Sequence, residues 1–161
     1  MITMKMSDHG RSLLTEWEGS SSEAYQDMAW LWTIGVGHLL TKDELTSGKI
    51  LILGEAVKYH DGLTSLQIDR LLTQDLAGAE GAVNSGVNIG LNQNQFDALV
   101  SFVFNVGRQA FYQSTLRRIL NEARYTKVPE QMRRWKWSGG KVDHGLINRR
   151  ENEIKLFEGM I

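Results

Sequence analysis

The sequence predicts an α+β fold: a small N-terminal lobe of one helix and a β-hairpin, then a larger helical C-terminal lobe joined to it by a long helix. Three observations carry this expectation. Between Trp30 and Val36 the residues alternate, Trp30, Trp32, Ile34 and Val36 against Leu31, Thr33 and Gly35, which is the period of a strand. Thr64-Ser65-Leu66-Gln67 has the form of a capping box, and Ile68, Leu71, Leu72, Leu76, Ala79 and Val83 continue from it as a helical stripe over several turns. A second box, Asn92 with Gln95, opens another apolar face through Phe96, Leu99, Val100, Val103 and Phe104, closed by Gly107.

The first helix is expected over about Ser7 to Glu18, where Leu13, Leu14 and Trp17 share a face and Gly19 is a natural stop. Gly19-Ser20-Ser21-Ser22 reads as a loop. Tyr25 to Asp27 then pairs with the alternating strand through a tight turn. Residues 41–63 are ambiguous: Ile50-Leu51-Ile52-Leu53 is apolar, but flanking glycines leave it between strand and short helix. From residue 64 everything reads as helix. One helix follows Ser114; another starts near Pro129, a residue tolerated at a first helical position, and stops at Gly139-Gly140. The last runs from about Ile147 to Glu158. A chain of 161 residues suits one domain, 1–161, with a small lobe over about 8–63 and a helical lobe over about 64–161. A cleft between two such lobes is a usual place for a ligand.

Composition narrows the classes. Apolar residues make up 42% and charged residues 23%, the values of an ordinary globular protein rather than a disordered one. No apolar run approaches the length of a membrane span, so stable membrane insertion is not expected. The start, Met1 to Ser7, is too short and too quickly polar for a secretory signal. Without cysteine there is no disulfide, thiolate metal site or cysteine nucleophile, and synthesis in a reducing compartment fits. His9, His38, His60 and His144 lie far apart without zinc-site spacing, so no metal is expected. Net charge is −1, yet from Arg117 to Arg150 ten Lys/Arg face three acids (Glu122, Glu130, Asp143). Such a segment suits nucleic acid, anionic lipid or an anionic wall polymer, and equally a solvated face of arginine-rich helices. Trp135 and Trp137 beside Arg133, Arg134 and Lys136 suit base stacking or core packing; packing is the better reading, and no nucleic-acid partner is expected.

The segment from Glu18 to His38 carries the chemistry. It puts one carboxylate at the end of a helix, beside Trp17, and another, Asp27, in the hairpin, with the Thr33 hydroxyl on the adjoining strand. Glycoside hydrolysis needs two carboxyl groups in different roles, one holding a proton for the leaving oxygen and one ionised. A buried helix end and a hydrated hairpin would separate those roles. A hydroxyl beside the second carboxylate can hold an attacking water. The bare spacing E-x8-D-x5-T arises by chance in roughly one chain in forty, so Gly35, Gly37 and His38 supply most of the specificity.

Glu18, Asp27 and Thr33, followed by Ile34-Gly35-Val36-Gly37-His38, closely resemble the catalytic segment of the phage-type lysozymes, glycoside hydrolase family 24. The resemblance continues in Leu91-Asn92-Gln93-Asn94-Gln95-Phe96-Asp97-Ala98-Leu99, in Phe104-Asn105-Val106-Gly107 and in Gly145-Leu146-Ile147-Asn148-Arg149-Arg150-Glu151, spanning most of the chain in the family's order. It implies a lysozyme-like fold and hydrolysis of the β-1,4 bond between N-acetylmuramic acid and N-acetylglucosamine, with inversion and without metal or cofactor. On that pattern Glu18 is the general acid, Asp27 the carboxylate on the water side, and Thr33 the holder of the water. Leu39, Phe104 and Thr115 match positions lining the saccharide cleft. Arg149 matches an ion-pairing arginine near the acid, and His38 a residue supporting the hairpin. The resemblance further implies an endolysin: a monomer made in the host cytoplasm, released by a separate holin, and acting on bacterial peptidoglycan in the periplasmic cell wall to cause lysis. Residues 41–63 follow the pattern poorly, and no counterpart of a polar substrate contact is found around Pro129. Three other readings compete: a saccharide-binding module without turnover, opposed by the presence of all three site residues; a nucleic-acid-binding helical domain; and a delivered toxin or tail-associated lysozyme.

Overall fold

The computed structural model describes residues 3–161. Two compact units divide the chain, Ser12–Ala77 and a second made of the segment up to Arg11 together with Gly78–Ile161.

The smaller unit takes in the end of helix α1 (Asp8–Glu18), strands β1 (Ser21–Gln26), β2 (Trp32–Gly35) and β3 (His38–Leu39), helix α2 (Lys42–Ser47), strands β4 (Lys49–Ile52) and β5 (Glu55–Lys58), and the first part of α3 (Ser65–Gly86). Strands β1, β2 and β3 form an antiparallel sheet in that order, with Tyr25 opposite Thr33 and Thr33 opposite Leu39. Strands β4 and β5 form a separate hairpin. Ile34, Ile50, Ile52, Val57, Leu63 and Leu71 make the core of this unit, so the hairpins and α3 are held by one apolar cluster.

Several expectations are corrected here. Ser21 and Ser22 belong to β1, not to a loop. Trp30 lies outside the strand, in the turn, and the alternation fails because Thr33, Ile34, Gly35 and Val36 are all buried. Residues 41–63 resolve into a capped helix and a hairpin, with Ile50 and Ile52 inward in β4. The capping box at 64–67 forms: Thr64 Oγ1 accepts from Gln67 N at 3.1 Å, and Gln67 Oε1 accepts from Thr64 N at 2.9 Å.

The larger unit holds the rest of α3 and helices α4 (Gln93–Val106), α5 (Arg108–Tyr112), α6 (Thr115–Asn121), α7 (Val128–Arg133) and α8 (His144–Phe157), with a short 3-10 turn over Tyr125–Lys127. Helix α4 starts at the predicted Asn92–Gln95 box, and every residue from Phe96 to Val103 is buried, which makes it the central helix. Helix α5 was not expected. The helix from Pro129 ends early, at Arg133, and Gly139-Gly140 is instead the turn of a small hairpin joining β6 (Trp137–Ser138) to β7 (Lys141–Val142). Both glycines there have positive φ, which a hairpin turn uses and a simple helix stop does not require. Helix α8 starts at His144 because Asp143 caps it, accepting from Leu146 N at 3.0 Å.

Buried polar groups tie this unit together. Asp97 is fully buried and accepts from Ser7 N at 3.0 Å, from the Ser7 hydroxyl and from Gln93 Nε2 at 2.8 Å. Glu80 accepts from Met6 N at 2.7 Å, and Asn84 exchanges two 2.9 Å bonds with the Met4 backbone. The segment before α1 is thereby bound along α3. Glu153, fully buried, pairs with Arg149 at 3.2 Å and Arg150 at 2.8 Å and accepts from the Ser101 hydroxyl at 2.6 Å; burial pushes its carboxyl up against the pull of the two guanidinium groups.

Candidate active site

Glu18 is the last residue of α1, half-buried, and Gly19 at φ +76° turns the chain out of the helix. Its carboxyl rests against the backbone of Gly37. A Cβ on that glycine would lie 2.7 Å from Glu18 Oε2 and 3.2 Å from Cδ, and Gly37 also stands at φ +65°. Two independent requirements therefore select glycine at this position. Gly35, at φ +61°, has only the conformational one, because its nearest neighbour would be Leu71 Cδ2 at 3.6 Å.

Asp27 opens the turn between β1 and β2. Its Oδ1 accepts from Ala29 N at 2.8 Å and Leu31 N at 2.9 Å, an arrangement that suits an aspartate at a turn start. One atom links it to Thr33: the Leu31 carbonyl accepts both Asp27 N–H at 2.9 Å and the Thr33 hydroxyl at 3.1 Å. Thr33 is 3% exposed. The Asp27 backbone and the Thr33 side chain, six residues apart in sequence, are thus tied to a single acceptor.

His38 braces the unit from β3. Its Nδ1 contacts Asp75 Oδ2 of α3 at 2.7 Å, and its Nε2 contacts Glu44 Oε1 of α2 at 3.0 Å. Burial works against a charged imidazole here, and the two carboxylates outweigh it, so the His38 pKa is raised. Glu44 also closes the capping box on Thr41, and Tyr59 OH donates to its carbonyl at 2.9 Å. Sequence reading missed Asp75 and Glu44; the Thr41-x-x-Glu44 box pattern was the one signal available for the second. Leu39, across from Thr33, is exposed.

The remaining expected site residues lie in the larger unit. Phe104 is half-buried near the end of α4, Thr115 is exposed at the first position of α6, and Arg149 is buried on α8, where it donates from Nε to Glu153 and from Nη2 to the Ser101 carbonyl at 3.3 Å. Among the described residues no group of three or more His, Cys, Asp or Glu gathers as metal ligands. Half of the basic segment's cations are ion-paired, mostly with acids just beyond it. Of its ten cations, Arg118 and Arg124 pair with Glu122, Arg133 with Glu151, and Arg149 and Arg150 with Glu153. Trp135 packs edge-on to Phe102 at 5.5 Å between ring centres, which is core packing.

The phage lysozyme profile matches residues 15–153, which contain all eight of these positions. The chain belongs to the phage lysozyme family. It is similar to the endolysin of Salmonella phage P22, with 38% identity over 154 residues covering 96% of this chain and 98% of that one. It is 36% identical over 156 residues to the endolysin of Bacillus phage PZA, of which it spans only 55%. Among solved structures, the endolysin from Escherichia coli O157:H7 phage FAHEc1 has the same fold, with a TM-score of 0.82 at 31% identity over 98% of this chain and 96% of that one. Membership of the family makes this lysozyme a muramidase-type glycoside hydrolase that lyses peptidoglycan.

Proposed function

We propose that the enzyme cleaves the β-1,4 bond between N-acetylmuramic acid and N-acetylglucosamine with Glu18 as general acid, Asp27 as the ionised carboxylate and Thr33 as the residue that holds the attacking water. The observation that carries this reading is the Leu31 carbonyl shared by Asp27 and Thr33. The Thr33 proton is committed to that carbonyl, so the hydroxyl oxygen meets a water as an acceptor. Both turn bonds of Asp27 end on Oδ1, which leaves Oδ2 to take a proton from the same water. Glu18, seated on Gly37, then donates its proton to the departing glycosidic oxygen. Water attacking opposite the leaving group inverts the anomeric centre.

In this reading Leu39, Phe104 and Thr115 contact the saccharide, while Arg149 and His38 support rather than react. Residues 1–161 work as one monomeric lysozyme domain that needs no metal or cofactor. The protein is made in the host cytoplasm and reaches the periplasmic wall through a separate holin; co-expression with a pore-forming partner should convert slow or absent lysis into abrupt lysis, and equal lysis without the partner would end that part. The test of the chemistry compares wild type with Glu18→Gln on isolated peptidoglycan by mass spectrometry of reducing ends. Wild type should release N-acetylmuramic acid reducing ends, with the inverted anomer first, and the variant should lose nearly all turnover while staying folded. Equal activity of the two would remove Glu18 from its role.

A further inference from the structure

The turn beside Asp27 contains a residue that its backbone disfavours. Trp30 N–H donates to the Asp27 carbonyl at 2.9 Å, closing a β-turn over Asp27-Met28-Ala29-Trp30, and Asp27 N–H donates to Leu31 O at 2.9 Å to close the loop behind it. In such a loop the residue following the turn takes the left-handed conformation, where glycine is the ordinary choice. Here it is tryptophan, at φ +64°. No burial compensates the strain, because the Trp30 side chain is 77% exposed and Met28 beside it is fully exposed. Strain retained without packing is a mark of function.

We infer that Trp30 is a glycan-stacking residue, its indole face covering a sugar ring of the peptidoglycan strand next to the bond being cut. The inference rests on the role proposed above for Asp27. A hydrogen-bonded β-turn keeps its first and fourth Cα atoms within about 7 Å, so the exposed indole springs from a backbone position next to that of Asp27. The electron-rich face of an indole suits the C–H face of a pyranose. Charge argues against a lipid surface: from Gly19 to Leu40 the chain carries Glu23 and Asp27 and no lysine or arginine, which anionic headgroups would repel. The backbone is held ready, since Gln26 Nε2 donates to the Trp30 carbonyl at 3.2 Å.

The experiment measures Tm, and kcat and KM separately on soluble uncrosslinked glycan strands, for wild type, Trp30→Gly and Trp30→Ala. Glycine relieves the strain and removes the indole, so Trp30→Gly should raise Tm by about 2–4 °C and raise KM on the order of 10-fold, with kcat little changed. Trp30→Ala should show the same KM increase without the full gain in Tm. An unchanged KM in both variants overturns the inference, and so does a Tm that falls in Trp30→Gly, because the indole would then be holding the turn. Loss of binding to vesicles of anionic phospholipid with KM unchanged would assign the residue to a membrane and overturn it equally. Glu18→Gln on the same strands separates this from the underlying mechanism: turnover lost there with Trp30→Gly unaffected in KM sinks the stacking role alone, whereas turnover retained there removes the acid.

Discussion

Replacing Gly37 by alanine tests the seating of Glu18, the proposed acid, with little chemical change. An added Cβ at this position would stand 2.7 Å from Glu18 Oε2, so the carboxylate must retreat by about 0.7 Å to reach the 3.4 Å at which ordinary contact begins. A misplacement near 1 Å costs up to about 100-fold in rate, so kcat should fall roughly 30- to 100-fold, about 2–3 kcal/mol of transition-state stabilisation. Gly37 also stands at φ +65°, and a left-handed alanine costs about 1–2 kcal/mol, or roughly 2–8 °C in Tm for a chain of this size. The two effects separate by comparison with Gly48→Ala. Gly48 stands at φ +70° with nothing within 4 Å of its would-be Cβ, so that variant should lose similar stability and keep its kcat. Reducing-end release under saturating substrate, with thermal unfolding of both variants, completes the comparison. A kcat for Gly37→Ala within twofold of that for Gly48→Ala would refute the claim that contact with Gly37 positions Glu18.

Two further outcomes follow from the bracing interactions. Because Asp75 and Glu44 outweigh burial and raise the His38 pKa, the folded chain binds that proton more tightly than the unfolded chain. The stability it contributes is whole below the ordinary value of 6.5 and is lost as pH rises through the raised folded value, so the Tm gap between wild type and His38→Gln should narrow between pH 5.5 and 9; a gap that widens with pH refutes the sign. Asp97→Ala takes the acceptor from the Ser7 N–H and hydroxyl and leaves Gln93 Nε2 with the Lys5 carbonyl alone, at about 2–3 kcal/mol, and should lower Tm by roughly 4–12 °C; a shift under about 1 °C would show that the segment before α1 is not held by Asp97.

Local signals translated well where one segment decides its own state. The capping boxes at 64–67 and 92–95 formed, and so did the stripes behind them, because hydrogen bonds between residues three apart and a 3.6-residue period need no distant partner. Expectations failed where a turn or a neighbour decides. Trp30 reads as a strand residue by alternation, yet the loop closed by Asp27 N–H and Leu31 O puts it in a left-handed turn. Gly139-Gly140 reads as a helix stop, yet pairing of Trp137 with Val142 makes it a hairpin turn. Residues 41–63 gave no period because α2, β4 and β5 are each only four to six residues long.

The site divides in the same way. Glu18, Asp27, Thr33 and the glycines after them could be put forward as candidates from sequence because their order along one segment is itself the pattern, and family membership could be read from it. The Leu31 carbonyl shared by Asp27 and Thr33, the contact of Glu18 with Gly37, and the clamp of Asp75 and Glu44 on His38 were not. Each of these depends on which atoms are brought within about 3 Å by the packing of helices and strands. Hydrogen bonds and van der Waals contacts act over that range whatever the separation along the chain, so sequence determined the residue types and their order, and tertiary structure alone decided their partners.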